Sequence, residues 1–219
     1  MDLLQRIRIK LMWTKEIEMA NRIIFATMNA HKMIEIREIL ADLPYQVFSM
    51  EEVGIDVDVV EDGDTFEANA IKKAVAVGAL TKGDIVLADD SGLSVDYMNG
   101  EPGIYSARFG GKDTSYRIKN QMIMDRLKDA SEDQRTARFV CVIAAALPNG
   151  EVKHVRGTME GVIAYKEHGV NGFGYDPIFY VPEIACTTAE MSSEQKNAIS
   201  HRGNALRLMK EVLKAYIEA

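Results

Sequence analysis

The chain has 219 residues, of which 47% are hydrophobic and 27% charged, the balance of a soluble globular protein able to bury a substantial core. Its net charge of -7 and pI ≈ 5.2 exclude a general nucleic-acid or membrane-surface binder, so an anionic substrate must be held by a few placed cations. Two cysteines, Cys141 and Cys186, make neither a metal framework nor a disulfide scaffold, and no apolar run reaches membrane-spanning length.

Residues 1–18 mix Leu3, Leu4, Ile7, Ile9, Leu11 and Trp13 with Arg6, Arg8 and Lys10. This basic amphipathic start lacks the continuous apolar region and small-residue cleavage site of a secretory signal. It reads as an extension outside the fold with Met19 as the candidate initiator, leaving 19–219 as one domain and a cytoplasmic location as the expectation.

Arg22 to Thr27 is an apolar, β-rich run and the first predicted strand. Met28-Asn29 follows, then a helix carrying Met33, Ile36, Ile39 and Leu40 on one face. A strand, a polar loop and a helix start aim backbone N–H groups and the positive end of the helix dipole at an anion. The Thr27-x-Asn29-x-x-Lys32 spacing thus offers a phosphate cradle, or a plain N-cap with a solvated lysine. Val53 to Val60 alternates apolar and acidic residues, which predicts a half-exposed strand ending in the acidic turn Glu61-Asp62-Gly63-Asp64. Thr65 then caps a predicted helix over 66–80. Acids ahead of a helix favour its dipole, and Glu61 is also a candidate metal carboxylate. Asn69 and Lys73 share one face of that helix, a solvated stripe or a functional pair.

Ile85 to Ala88 reads as a short buried strand with the adjacent acids Asp89 and Asp90 at its end. Acids at a strand tip sit where open α/β sheets bind ligands, and hard oxygen donors suit Mg²⁺ together with substrate phosphates. Asp-Asp-Ser-Gly is equally ordinary turn chemistry. Successive strand side chains point to opposite faces. Beyond a Gly- and Pro-rich loop over 97–112 come a helix over 113–127, an exposed turn over 130–135, and two strands over 136–147 and 151–165 joined by Pro148-Asn149-Gly150. Gly169 to Pro177 presents Phe173 between glycines and beside Asp176. That gives a flat base one ring to stack on and one edge partner, or else forms a turn. From Ser192 a Ser-x-x-Gln195 capping box opens a helix. For Lys196, His201 and Arg202 to meet one ligand, that helix must break near Ser200.

These segments together make the chain resemble the Ham1/RdgB family of inosine triphosphate pyrophosphatases, which remove aberrant purine nucleotides. The resemblance rests on Thr27-x-Asn29-x-x-Lys32, Phe66-Glu-Ala-Asn69-Ala with Lys73, and Ala88-Asp-Asp-Ser-Gly-Leu93. It continues in Pro102-Gly-Ile-Tyr-Ser-Ala-Arg108, Gly172-Phe-Gly-Tyr-Asp-Pro177 and Lys196-x-x-x-Ile-Ser-His-Arg-Gly203. Each is weak alone; their order and spacing make the set specific, from Met19 onward. The resemblance implies an ITPase-like α/β fold with a long twisted mixed sheet, flanking helices and two lobes around a central cleft. It implies hydrolysis of ITP, dITP and XTP to the monophosphate and pyrophosphate, with Mg²⁺ as cofactor, in a homodimer. Asp90 and Lys32 are the implied catalytic residues, and Asp90, Glu61 and Asp89 the implied metal carboxylates. Thr27, Met28, Asn29, Ala30, His31, Lys32, Lys73 and Ser91 are implied around the triphosphate. Phe173, Gly174, Tyr175, Asp176, Lys196, His201 and Arg202 are implied around the base and its ribose.

Two positions depart from the family pattern. Met28 stands where glycine is usual, so the loop must reach the phosphates without glycine's freedom. Ala68 stands where an acid is common, leaving Glu67 as a poor substitute. A Maf-type pyrophosphatase acting on pyrimidine or modified nucleotides, and a nucleotide-binding regulator without turnover, are the alternative functions.

Overall fold

The computed structural model describes residues 22–81 and 83–218. The reading of residues 1–18 as an extension therefore lies outside the described residues, as does the side chain of His31.

Strand β1 (Arg22–Phe25), helix α1 (Ala30–Leu40) and strand β2 (Gln46–Ser49) open the fold, followed by helix α2 (Phe66–Gly78) and the long strand β3 (Ile85–Val95). Helix α3 (Tyr116–Arg126) precedes the hairpin of β4 (Thr136–Ala146) and β5 (Val152–Ile163). Short strands β6 (Phe179–Val181) and β7 (Cys186–Thr187) lead to helices α4 (Ser193–Ile199) and α5 (His201–Ile217). The seven described strands form one sheet in the order β2-β1-β3-β4-β5-β6-β7. β1 runs parallel to β2 and β3, and the remaining pairings are antiparallel, giving the mixed α/β sheet expected.

Strict alternation along β3 sorts its side chains to two faces. Ile85 and Leu87 join a core with Met33, Ile36 and Leu40 of α1 and Leu206, Met209 and Leu213 of α5. Val86 and Ala88 join the opposite core, with Phe66, Ala70, Ala74 and Val77 of α2. Farther along the sheet, Leu93 and Val95 pack with Ile123 and Leu127 and with Phe139 and Phe179. Gly157 of β5 permits α5 to lie directly on the sheet, since a Cβ there would meet the backbone of His201 and Ala205.

Three expectations need correction. β3 does not stop at Ala88: Asp89, Asp90 and Ser91 stay in the ladder opposite Ile143, Val142 and Cys141, so the acids lie mid-strand and the tip reading fails. A full-length partner in β4 outweighs the local turn signal of Asp-Asp-Ser-Gly. The segment 53–60 forms no strand. Val53, Ile55, Val57 and Val59 pack against the α2-side core while the alternating acids face outward, so the period-2 pattern is real without a ladder. β2, β6 and β7 were not expected, being too short to show a period.

The helix break is as anticipated. Ser192 and Gln195 form the capping box of α4, and Ser200 adopts an extended conformation whose hydroxyl accepts from the Gly203 N–H. Ser200 thus ends one helix and caps the next, placing His201 and Arg202 in the first turn of α5.

Candidate active site

Asp89 and Asp90 occupy opposite faces of one buried strand and meet different partners. The Asp89 carboxylate, 1% exposed, accepts from Lys32 Nζ at 3.0 and 2.9 Å and lies 3.5 Å from Arg202 Nε. Arg202 also pairs with Glu35 at 2.8 Å and donates to Ser91 Oγ at 3.4 Å. Burial raises the pKa of Asp89, but Lys32, Arg202 and Lys73 outweigh it and hold the group well below the usual carboxylate range. Asp89 was expected beside Asp90 at the metal. Instead its carboxylate is on the α1/α5 side of the sheet, closed off by two cations, so the two acids do not converge on one point.

Asp90 faces α2. Asn69 Nδ2 donates to Asp90 Oδ2 at 2.9 Å, while Asn69 Oδ1 accepts from the Gly63 N–H at 2.8 Å. One buried amide therefore ties the acidic loop to the strand. Lys73, one turn on, pairs with Glu61 and donates to the Asp89 carbonyl at 3.0 Å. Glu61 and Lys73 both act electrostatically on Asp90. Burial, with the negative charges of Glu61 and Asp89, pushes the Asp90 carboxyl up to about 6, against the opposing effects of Asn69 and Lys73. A buried carboxylate whose pKa is raised beside other acids is a setting that a cation relieves.

The loop from Thr27 to Lys32 shows the N-cap geometry. Thr27 Oγ1 accepts from the Asn29 N–H at 3.2 Å, and Asn29 Oδ1 accepts from the Lys32 N–H at 3.3 Å. Met28 is 59% exposed, and the non-glycine residues at positive φ among the described residues are Asn99 and Ala185. The loop therefore keeps its course without a left-handed residue at Met28.

A cavity of 380 Å³ opens beside this loop, lined by Asn29, Lys32, Ser91, Phe139, Phe173, Gly174, Tyr175, Asp176, Lys196, His201 and Arg202, with Gly92, Ser106, Ala107 and Tyr116. A second cavity of 620 Å³ is lined by Thr27, Met28, Glu61, Lys73, Arg108 and Lys112 among others, and shares Ala107 with the first. The two meet at Ala107, one end aromatic and cationic and the other carrying Glu61 and Lys73; Asp90 lines neither, but it directly precedes Ser91 of the first and feels the charges of Glu61 and Lys73 of the second.

At the aromatic end, Asp176 is an anchor. Its Oδ2 accepts from Lys196 Nζ at 2.6 Å and from the Phe173 N–H at 2.7 Å, and its Oδ1 accepts from Thr188 Oγ1 at 2.8 Å. Gly172, at φ +72, is required because a Cβ would run into that carboxylate. Lys196 Nζ stands 4.8 Å from the Phe173 ring centroid, and Arg202 Cζ 5.7 Å from it. Tyr175 is buried, donates to the Ser106 carbonyl at 2.7 Å and meets Tyr116 edge to face at 5.3 Å. His201 stacks on Phe139 at 4.8 Å. Burial and the nearby Arg202 and Lys196 charges keep its imidazole well below its ordinary pKa, hence neutral.

Of the expected residues, Asn29, Lys32, Ser91, the Phe173–Asp176 loop, Lys196, His201 and Arg202 line one cavity, and Thr27, Met28, Glu61 and Lys73 the other. Ala30 is exposed at the start of α1 and lines neither. Sequence reasoning missed Glu35, Tyr116, Phe139 and Thr188. The i, i+3 spacing of Lys32 and Glu35 was an available signal for the first; the others read as ordinary core or helix residues. Glu67, the weak substitute for an acid at Ala68, pairs with Arg156 at 2.7 Å and does not join Asp90.

The sequence profile of the Ham1 family matches residues 23–212. A protein of Clostridium perfringens named dITP/XTP pyrophosphatase is 48% identical over 202 residues, covering 90% of this chain and 99% of that protein. One of the same name from Bacillus subtilis is 45% identical over 192 residues, covering 88% and 96%. A solved structure of a HAM1 protein from Coxiella burnetii matches with a TM-score of 0.82 at 41% identity, covering 89% of this chain and 99% of that one. The Ham1 protein of Staphylococcus aureus matches at 0.80 and 44% identity, covering 90% and 100%.

Proposed function

We propose that this chain, which belongs to the Ham1 family, is a dITP/XTP pyrophosphatase that hydrolyses ITP, dITP and XTP to the nucleoside monophosphate and pyrophosphate. One observation carries the reading. Asp90, its pKa raised to about 6 by burial, directly precedes Ser91 of a base-sized cavity ringed by Phe173, Lys196 and Arg202, and it feels the charges of Glu61 and Lys73, which line a second cavity that adjoins the first at Ala107.

The donors fit Mg²⁺. Among the described residues no three His, Cys, Asp or Glu side chains converge as a metal site. Asp90 and Glu61 are two hard carboxylates, and Mg²⁺ is commonly held by one or two carboxylates with substrate phosphates and water completing the shell. Bound there, the ion would offset the charge of the phosphate oxygens. Asp89, closed by Lys32 and Arg202, serves as their anchor.

Asp90, ionised above about pH 6, accepts a proton from the water that attacks the α-phosphorus. The new bond is water oxygen to phosphorus; the bond that breaks is the one to the bridging oxygen of the leaving pyrophosphate. An ammonium offers three donors. Lys32 spends two on Asp89, and Lys73 spends two on Glu61 and the Asp89 carbonyl, so each retains one for a phosphate oxygen. At the base end, Lys196 and Arg202 present donors to the 6-oxo group of hypoxanthine or xanthine. The 6-amino group of adenine would face donor with donor, at about 1–3 kcal/mol for each buried group left unpaired, and several such mismatches give roughly 10⁴-fold rejection. The homodimer and the cytoplasmic location belong to the same proposal, to be checked by equilibrium sedimentation and cell fractionation.

Pyrophosphate release from ITP, XTP, dTTP and ATP, with and without Mg²⁺, tests the assignment. ITP and XTP should be turned over with Mg²⁺ and ATP hardly at all. Equal rates on ATP and ITP would remove the base-selection argument, and preference for dTTP would favour a pyrimidine-directed enzyme. ITP binding without pyrophosphate release would make the chain a regulator.

A further inference from the structure

Asp176 fixes two groups at the base end, yet its own orientation depends on a residue outside both cavities. Thr188 follows β7, is fully buried, and donates its N–H to the Phe179 carbonyl at 2.9 Å. Its hydroxyl lies 2.8 Å from Asp176 Oδ1 and 3.2 Å from the Asp176 carbonyl oxygen. Having one proton to give, the hydroxyl makes its stronger bond to the carboxylate. Among the described contacts Asp176 Oδ1 has no other hydrogen-bond donor. The other carboxylate oxygen carries both Lys196 Nζ and the Phe173 N–H.

The two oxygens belong to one rigid planar group. When Oδ1 is held, Oδ2 is fixed with it, and so are the ammonium and the backbone of the ring that frame the cavity. When Oδ1 is released, it becomes a buried charged acceptor without a partner, a costly state. Rotation of the carboxylate would relieve that cost and would move Lys196 and Phe173 together. We propose that Thr188 is a positioning residue for base recognition: its hydroxyl sets the Asp176 carboxylate and, through it, Lys196 and Phe173. This rests on the base-end reading of the first cavity and adds to it a residue that touches no substrate.

The phosphate end shares none of these contacts, so the two ends can be read separately. The Mg²⁺-loaded native chain, Thr188→Val, Thr188→Ala and Thr188→Ser are titrated with inosine monophosphate and, separately, with inorganic pyrophosphate, and ITP kinetics are measured on each. Val keeps the shape and loses the hydroxyl; Ala guards against overpacking; Ser restores the donor. Val and Ala should weaken inosine monophosphate binding and raise KM for ITP by roughly tenfold, the scale of one charge-assisted hydrogen bond. Pyrophosphate affinity and kcat should stay within about twofold, and Ser should return both base-end values to native. The proposal is overturned if inosine monophosphate binds undiminished to Val and Ala, if both ligands weaken equally, or if kcat carries the loss. It is also overturned if Ser fails to restore the base-end values, or if Val and Ala fail to fold while Ser folds. A native chain that neither binds inosine monophosphate nor releases pyrophosphate from ITP sinks the functional reading, and this inference with it. A native chain that does both, beside variants that bind normally, sinks this inference alone.

Discussion

Asp90 has a raised pKa for the same reason that it can serve as a base: it is a carboxylate that burial and two neighbouring acids make reluctant to ionise. The consequence has a definite sign. Its folded value, about 6, is above the ordinary carboxylate value of 3.8, so the stability it contributes is complete below the unfolded value and is lost as pH rises through 6. At pH 8 the ionised group costs the fold about 2–3 kcal/mol. Asp90→Asn keeps an acceptor for Asn69 and removes the charge. Urea melts at pH 8 should show this variant more stable than the native chain by roughly that amount, with the gain gone by about pH 4. Its pyrophosphate release should fall by about 10²–10⁴-fold, the usual worth of a general base. In the native chain, kcat/KM should fall on the acid side as Asp90 takes up its proton, with bound Mg²⁺ drawing that limb below the metal-free value of about 6.

Helix α2 brings the acidic loop to the strand through two side chains, Lys73 and Asn69. Asn69 bridges the Gly63 N–H and the Asp90 carboxylate, and its bond to Asp90 opposes the upward push of burial. Asn69→Ala should therefore raise the acid limb of the kcat/KM profile above its native position. It should also cost about 1–3 kcal/mol, because it leaves a buried N–H and a buried carboxylate each short of a partner. A pH–rate series on ITP would show it, and an unmoved acid limb would mean that Asn69 does not govern Asp90. Other elements differ in how far the chain alone reveals them. The break at Ser200 was legible because Lys196, His201 and Arg202 cannot share a ligand on one straight helix, and the capping residues stand in the sequence. The passage of β3 through Asp89 and Asp90 was not legible. It depends on the partner strand β4 and on Lys32, Arg202 and Asn69, which arrive from 21 to more than 100 positions away. The segment 53–60 misled in the opposite direction: its alternation reports one buried face, which a packed loop supplies as well as a strand does.

At the scale of the molecule, the same strand carries two acids whose contributions to stability have opposite signs. Asp89 joins three elements, with Lys32 from α1 and Arg202 from α5 closing on it in β3, and Glu35 balancing Arg202. These contacts cross the interface between the sheet and the helices that pack on one of its faces. Its pKa is depressed, so the stability it contributes is present above the unfolded carboxylate value and is lost as pH falls toward the folded one. Asp89→Asn leaves Lys32 and Arg202 largely buried with only the Glu35 pairing of Arg202 remaining among the described ion pairs, and should destabilise the fold at pH 7–8 by about 3–5 kcal/mol. That penalty should shrink below about pH 4, where the native carboxylate begins to lose its own advantage over the unfolded chain. Neighbouring, isosteric substitutions thus move stability in opposite directions at pH 8, down for Asp89→Asn and up for Asp90→Asn. If both variants lost stability equally, the two faces of β3 would not be electrically distinct. The assignment of Asp89 to anchoring and Asp90 to chemistry would then have to be abandoned.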